Sequence, residues 1–163
     1  MWITITIILI VILDQLSKYF ATSNLYPDKG AEFIRGLLSF RYHENKGAAW
    51  GMLSDNRWVF MTASILAIGL IIGFFIYLKI KKEKIHPLLS LSLSFFCGGG
   101  IGNMIDRVAN GYVVDFFKFE FIDFPIFNVA DSFITVGAFL IILYLILDTI
   151  KDLKKKKAEK TNV

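Results

Sequence analysis

The sequence predicts an all-α integral membrane protein with four transmembrane helices and a small β-rich outer-surface segment between helices 1 and 2. Three observations predict this class. The 163-residue chain is 55% hydrophobic, above the level of about 45–50% that is usual for soluble domains. Its apolar residues fall in four long runs. Its lysines concentrate in one short loop and in the C-terminal tail.

The four apolar runs give the expected helices in order. A bilayer is crossed by about 20 apolar residues, and each run reaches that length. The second run carries no charged residue, the third has only His86 near its start, the fourth contains Asp131, and the first continues past Asp14. The first run has no basic start and no small-residue cleavage site, so we expect it to be retained as a helix. The runs are Met1–Ala21, Trp58–Leu78, Ile85–Ile105 and Phe124–Leu147.

The distribution of lysines predicts the orientation of these helices. Short basic loops stay in the cytoplasm, so we expect the loop at about 79–86 and both termini to be cytoplasmic. The long connections at about 22–57 and 107–124 then face outside. The formal charge of +4 therefore reflects topology, with contact between the basic tail and anionic lipid as the less favoured alternative, and no nucleic-acid partner is expected. We expect a single four-helix transmembrane domain over residues 1–150 and a basic cytoplasmic tail over 151–163.

The two outer connections have their own patterns. Residues 31–42, AEFIRGLLSFRY, alternate partly between apolar and polar residues, which indicates short strands. Trp50 and Trp58 suit the aromatic belt at a membrane interface. The second connection carries six phenylalanines between Val113 and Phe127. It is either a loop that dips into the interface or a wall or lid over a site, and the sequence does not separate these alternatives.

Polar residues within the spans are the strongest functional signal. A charge at the centre of a spanning helix costs about 2.5–3.5 kcal/mol on insertion scales, so such residues are candidates for a function. They occur in pairs three or four residues apart, which places each pair on one helix face. All of them fall near the outer boundary. The groups are Asp14 with Lys18, Asn103 with Asp106 and Arg107, and Asn128 with Asp131, and Asp115 follows the third span.

Carboxylates are the chemistry that this residue set leaves open. Cys97 lies in an apolar span, the two histidines belong to opposite sides of the membrane, and no HExxH, CxxC or GxSxG motif occurs; no metal or other cofactor is therefore predicted. Two carboxylates held close together cannot both ionise, so one activates a water while the other donates a proton. Asp115 and Asp131 are the predicted pair, and Asp106 is the alternative member.

Five short motifs resemble those of the bacterial lipoprotein signal peptidases, or type II signal peptidases. They are DQLSK (14–18), NKGAAWG (45–51), GNMIDR (102–107), GYVVDF (111–116) and FNVADS (127–132). The resemblance implies an aspartyl endopeptidase of the bacterial inner membrane that cuts diacylglyceryl-modified prolipoproteins before the lipidated cysteine. It also implies inhibition by the cyclic peptide globomycin and an active site near the outer face. Asp115 and Asp131 match the catalytic aspartates, and the supporting positions are Asp14, Lys18, Asn45, Gly47, Asn103, Asp106, Arg107, Asn128 and Ala130.

Two other classes compete with this interpretation. Buried acids also suit a small proton-coupled transporter, although the acids cluster near one face and no inverted repeat is visible. A structural subunit could use polar residues to hold helices together, but Ser, Thr or Asn would be more usual in that role. A proton-flux assay separates the transporter from the peptidase.

Overall fold

The computed structural model describes residues 2–27, 29–47 and 57–161; Trp50 and most of the NKGAAWG motif lie outside this range. Four of its helices are long and apolar enough to cross a membrane, which confirms the predicted class. The helices are α1 (Trp2–Leu25), α2 (Arg57–Lys81), α3 (Pro87–Ala109) and α4 (Val129–Thr161), and the strands are β1 (Ala31–Ile34), β2 (Leu38–Asn45) and β3 (Val113–Phe119).

Helix α3 lies at the centre of the bundle and packs against each of the other three helices. Its glycines permit this packing. A Cβ added at Gly98 would lie 2.8 Å from Ile10 of α1, and one at Gly99 would lie 2.5 Å from the carbonyl oxygen of Ala130 in α4. The absence of side chains at these positions therefore allows both neighbouring helices to approach α3 closely.

Helix α4 begins later than the apolar run predicts. The run starts at Phe124, but the helix starts at Val129. Phe127 pairs instead with Phe117 of β3, accepting from its N–H at 2.8 Å and donating back to its carbonyl at 3.0 Å. Hydropathy alone does not detect this pairing. At its other end α4 continues as helix to Thr161, well beyond the apolar run that ends at Leu147.

The sheet takes its strands from both outer connections. Strands β1 and β2 form the antiparallel pair expected in residues 31–42, and β3 pairs antiparallel with β2, giving the order β1-β2-β3. The third strand lies between α3 and α4, so the β-rich structure is not confined to the connection between helices 1 and 2. Phe116 of β3 packs with Ala21 and Leu25 of α1, which fixes the sheet against one end of the bundle.

The two ends of the bundle carry different groups. The site end is the end covered by the sheet and by residues 102–107 of α3. The basic end is the opposite one, formed by residues 79–90 and the C-terminal half of α4. At the basic end, His86 caps α3 by accepting from the N–H of Leu88, and Pro87 begins the helix, a position where the missing N–H of proline has no cost.

Candidate active site

A cavity of about 570 Å³ lies at the site end, between the sheet, α3 and the first turns of α4. Asp115 and Asp131 both line it, although they come from different elements, β3 and α4. Most of the remaining wall is apolar, and Phe119, Phe124 and Phe127 contribute to it. Of the two alternatives for the phenylalanine-rich connection, the structure therefore favours a wall, with its first half held as a strand.

Asp115 is held by two side-chain amides. Asn45 Nδ2 donates to Asp115 Oδ2 at 2.9 Å, and Asn128 Nδ2 donates to Asp115 Oδ1 at 2.6 Å. The residue is only 1% exposed. Burial, followed by the negative charge of Asp131, raises the pKa of the Asp115 carboxyl to about 7, because both effects disfavour the ionised form. The protonated form of this carboxyl is therefore favoured more than it is in an exposed aspartate.

Asp131 occupies the first turn of α4 and takes part in the cap of that helix. Asn128 Oδ1 accepts from the N–H of Asp131 at 2.9 Å, and Asp131 Oδ2 accepts from the N–H of Asn128 at 3.2 Å. This reciprocal arrangement is a capping box. Asn103 Nδ2 donates to the other oxygen, Asp131 Oδ1, at 2.7 Å. The N-terminus of a helix favours a negative charge, which offsets part of the cost of burying an ionised Asp131.

Lys18 joins α1 to α3, and its partner Asp14 extends the network to α4. Its Nζ lies 2.8 Å from Asp14 Oδ2 and 3.0 Å from Asp106 Oδ2, and it donates to Asn103 Oδ1 at 2.9 Å. The pair of Asp14 and Lys18 predicted from their spacing is therefore formed. Asp14 Oδ1 also accepts from the backbone N–H of Ala130 at 2.9 Å. Removing one partner of such a buried ion pair costs about 3–5 kcal/mol, so this network holds α1, α3 and α4 in register.

Asp106 serves the strand that carries Asp115. Its Oδ2 accepts from the backbone N–H of Val114 at 3.0 Å, and its Oδ1 accepts from Gln15 Nε2 at 3.0 Å. Both oxygens of Asp106 are thus engaged with neighbouring elements. These contacts favour a supporting role for Asp106 over membership of the dyad, because Asp115 faces the cavity from the next position along β3.

Arg107 connects α3 with the turn that follows β2. One terminal nitrogen of its guanidinium lies 3.4 Å from the carbonyl oxygen of Gly47, and the group lies over the ring of Phe60 in α2, 5.3 Å from its centroid. The N–H of Gly47 in turn donates to Asn45 Oδ1 at 2.9 Å. This bond orients the Asn45 amide, so that its NH₂ group faces Asp115.

Sequence reasoning missed two residues of this site. Gln15 Nε2 contacts Asp14 Oδ2 at 3.2 Å and the carbonyl oxygen of Gly102 at 3.1 Å, in addition to Asp106. A Cβ added at Gly102 would lie 2.5 Å from Asp14 Oδ2, so only glycine leaves room for the carboxylate. Both residues stand inside motifs singled out from the sequence, DQLSK and GNMIDR, but neither carries a charge that would have drawn attention to it.

The site end is well satisfied in its hydrogen bonding. Among the residues that the structure describes, every buried side-chain nitrogen or oxygen has a partner. Each predicted supporting residue contacts another member of the site or belongs to an element that holds one, and Ala130 is fully buried. Both carboxylates line a largely apolar cavity, and hydrogen bonds from neighbouring residues hold each of them in place.

Comparisons with known proteins identify the family of this chain. The family model described as signal peptidase (SPase) II matches residues 6–147. Curated proteins named lipoprotein signal peptidase include one from Enterococcus faecalis, 46% identical over 86% of this chain and 84% of its own length, and one from Symbiobacterium thermophilum, 43% identical over 86% and 91%. A solved structure described as a bacterial membrane enzyme superposes with a TM-score of 0.81 at 36% identity, covering 90% of this chain and 88% of its own. The chain belongs to the signal peptidase II family.

Proposed function

We propose that this chain is a membrane aspartyl endopeptidase that removes signal peptides from diacylglyceryl-modified prolipoproteins and cuts before the lipidated cysteine. The observation that carries the proposal is the pairing of Asp115 and Asp131 at one cavity, with the pKa of Asp115 raised to about 7. One carboxyl is then protonated while the other is ionised, which is the state that acid–base hydrolysis of an amide requires.

The charges around the site support retention of one proton. Two cations and four carboxylates meet at the site end, which leaves an excess of two negative charges if every group is ionised. A proton on Asp115 halves that excess among side chains that are largely buried. The groups are Lys18, Arg107, Asp14, Asp106, Asp115 and Asp131.

The roles of the two aspartates follow from their settings. Asp131, at the N-terminus of α4, takes a proton from the attacking water. Asp115 donates its proton to the carbonyl oxygen of the scissile peptide, so that a neutral tetrahedral diol forms. As the carbon–nitrogen bond breaks, Asp131 gives its proton to the leaving nitrogen. Asp115 takes a proton back from one hydroxyl of the diol, which becomes the carbonyl oxygen of the new carboxyl group, so the starting protonation of both aspartates is restored. No metal is needed, since each carboxyl acts directly as acid or base.

The substrate explains why the site lies where it does. A signal peptide is apolar and lies in the bilayer, so a peptidase that receives it from the membrane needs an apolar wall beside a polar centre. Phe124, Ile134 and Val136 supply such a wall next to the aspartates. We propose that the site end faces outward in the bacterial inner membrane, with both termini in the cytoplasm, and that membrane lipid surrounds the apolar helix faces. Globomycin, as a cyclic peptide that resembles the substrate, is expected to occupy the same cavity.

The test is cleavage by the purified full-length chain in lipid nanodiscs. The substrate is a diacylglyceryl-modified prolipoprotein, and the matched control is the same prolipoprotein with its cysteine replaced by serine, which cannot be lipidated. We expect release of the signal peptide from the modified form, at least about 100-fold slower cleavage of the serine form, and inhibition by globomycin. Failure to cut a verified modified substrate would contradict the proposal, and equal rates on both substrates would contradict its lipid requirement.

A further inference from the structure

We infer that Lys18 is a positioning residue that fixes the orientation of the Asn103 amide. In this orientation the NH₂ group of Asn103, a hydrogen-bond donor, faces Asp131 Oδ1. This inference rests on the proposed function, because it assigns Lys18 a role toward the aspartate pair in addition to its ion pairs with Asp14 and Asp106. The contacts that carry it link the Lys18 ammonium to Asp131 through a single asparagine.

The first contact sets the direction of Asn103. An ammonium group donates hydrogen bonds and accepts none. Lys18 Nζ lies 2.9 Å from Asn103 Oδ1, so the carbonyl side of this amide must face the lysine. Its NH₂ group then points the other way and donates to Asp131 Oδ1 at 2.7 Å. Asn103 is 7% exposed, and the amide therefore has little water with which to exchange partners.

Asn128 reinforces the same direction. Its Oδ1 accepts from the backbone N–H of Asp131 at 2.9 Å, and a backbone N–H is also a donor that cannot accept. The Asn128 NH₂ group is thereby turned toward Asn103 Oδ1, at 3.1 Å, and Asp115 Oδ1, at 2.6 Å. Asn103 Oδ1 thus receives two donors, one from Lys18 and one from Asn128, and both oppose a reversed amide.

The orientation decides where a proton can rest on Asp131. The two ends of an asparagine amide have nearly the same shape, so reversal is limited by hydrogen bonding and not by packing. A reversed Asn103 would place its carbonyl oxygen against Asp131 and could accept from that carboxyl in its protonated form. With Lys18 present, the reversed amide would direct its NH₂ group at an ammonium. Lys18 therefore opposes the arrangement that would hold a proton on Asp131 Oδ1. A proton held there would prevent Asp131 from acting as a base toward a water in the cavity.

Replacing the lysine should change the pH profile of cleavage. In Lys18→Met only Asn128 still opposes the reversed amide, and a positive charge near Asp131 is lost as well, so the base form of Asp131 is lost at a higher pH than in the wild type. We expect the acidic limb of kcat to move upward by about one pH unit, with kcat near neutrality reduced about tenfold and KM changed less. The charged groups that face the pair are Asp14 and Lys18 of α1, Asp106 and Arg107 of α3, Asp115 of β3 and Asp131 of α4.

Gln15→Leu is the matched control that weakens the network of Asp14 and Asp106 without removing a contact to Asn103. Gln15 Nε2 donates to the same two carboxylates as Lys18, Asp14 and Asp106, but its bonds do not reach the Asn103 amide. This variant should weaken the network and lower thermal stability while the acidic limb stays in place. An equal shift of the limb in both variants would overturn the inference, because it would show that any weakening of the network suffices.

A second variant tests the inference if Lys18→Met does not fold. Asn103→Asp preserves the acceptor toward Lys18 but opposes Asp131 with an acceptor instead of a donor. We expect its kcat to fall at least about 100-fold, and thermal unfolding checks that the variant is folded. Wild-type kcat in this variant, measured beside an active wild type, would overturn the inference while leaving the proposed function intact.

An independent measurement does not need turnover. In protein labelled with ¹⁵N at asparagine, the side-chain NH₂ resonances of Asn103 report its orientation directly. We expect them to hold their position in the wild type as the pH is lowered from 7 to 4, and to shift in Lys18→Met. Unchanged resonances in the variant would contradict the role assigned to Lys18, whether or not the chain cleaves the substrate tested.

Discussion

The two halves of α3 both bury polar side chains, but they satisfy them differently. Toward the basic end, Ser92 and Ser94 are fully buried and donate to carbonyl oxygens one turn back in their own helix, those of Leu88 and Ser90, both at 2.7 Å. Toward the site end, Asn103 and Asp106 bond to residues of α1, β3 and α4. One half keeps its polar groups within the helix, and the other uses them to join elements.

This difference separates a packing role from a functional one. A serine that donates to a carbonyl of its own helix is small and neutral, and it needs no hydrogen-bond partner on a neighbouring helix. An asparagine or aspartate whose partners lie on other elements fixes those elements relative to one another, and any loss is felt at each of them. Burial of a polar group alone therefore does not identify a site in a membrane bundle. A site is indicated when the hydrogen-bond partner of the buried group lies on another element.

The largest expected contrast is between the two helix caps. Asn128 caps α4 at the site end and also donates to Asp115, whereas His86 caps α3 at the basic end. Asn128→Ala should lower kcat by about 10²–10³, as the loss of a positioned donor does. His86→Ala should lower the free energy of unfolding by about 0.5–2 kcal/mol and leave cleavage unchanged. Cleavage assays and thermal unfolding of both variants measure the two effects, and similar kcat values for them would break the comparison.

A pH profile is expected to report on the site end alone. The pKa of Asp115 is raised from 3.8 to about 7 by burial and by Asp131, so the proton needed for catalysis is present below that pH and is lost as the pH rises through it. Cleavage should fall about tenfold per unit on the alkaline side. The same raised pKa means that the contribution of Asp115 to stability is greatest below about pH 4 and is lost as the pH rises toward 7.

The exposed carboxylate at the basic end supplies the control for that profile. Asp148 lies on the part of α4 that extends toward the tail and is exposed. Asp148→Asn should leave both the rate and the position of the alkaline limb unchanged. A limb that moved in this variant, or a flat profile between pH 6 and 9 in the wild type, would contradict the assignment of the titrating proton to the aspartate pair.

The smallest expected contrast is between two glycines of α3. A Cβ at Gly102 would lie 2.5 Å from the buried carboxylate of Asp14, whereas one at Gly100 would lie 3.3 Å from the flexible end of Ile68. Gly102→Ala should lower the free energy of unfolding by about 1–3 kcal/mol, the usual cost of overpacking, and reduce cleavage about tenfold. Gly100→Ala should change either quantity little. Equal losses in denaturant unfolding and cleavage would show that the site end has no special demand for space.

Much of the fold could be predicted because hydropathy and charge act locally. The four spans follow from the length of their apolar runs, and the pair of Asp14 and Lys18 follows from helical spacing. The start of α4 could not be predicted in this way, because Phe127 is apolar enough for a helix and pairs instead with Phe117, ten residues earlier in the chain. Strand β3 could not be predicted for the same reason. It pairs with β2, and the paired residues are about 70–80 positions apart in the chain.

The candidate site divides along a similar line. Charged residues inside apolar runs stand out in a sequence, so all four aspartates and Lys18 could be selected from it. Gln15 and Gly102 could not, because one is neutral and the other acts through the side chain that it lacks. Ala130 was reached only through the resemblance, and its contribution is a backbone N–H to Asp14, which no residue type reveals. Roles of the backbone become visible only once the elements are packed.

The central claim is that Asp115 and Asp131 together carry the reaction, and the most direct measurement is single-turnover cleavage by the two asparagine variants. Asp115→Asn and Asp131→Asn should each lower the rate on a diacylglyceryl-modified prolipoprotein by at least about 10³-fold, since each removes one half of the acid–base pair. Asp123→Asn, the same change at an exposed carboxylate of the same connection, should cleave like the wild type. Cleavage by a folded Asp115→Asn or Asp131→Asn variant within tenfold of the wild type would contradict the account.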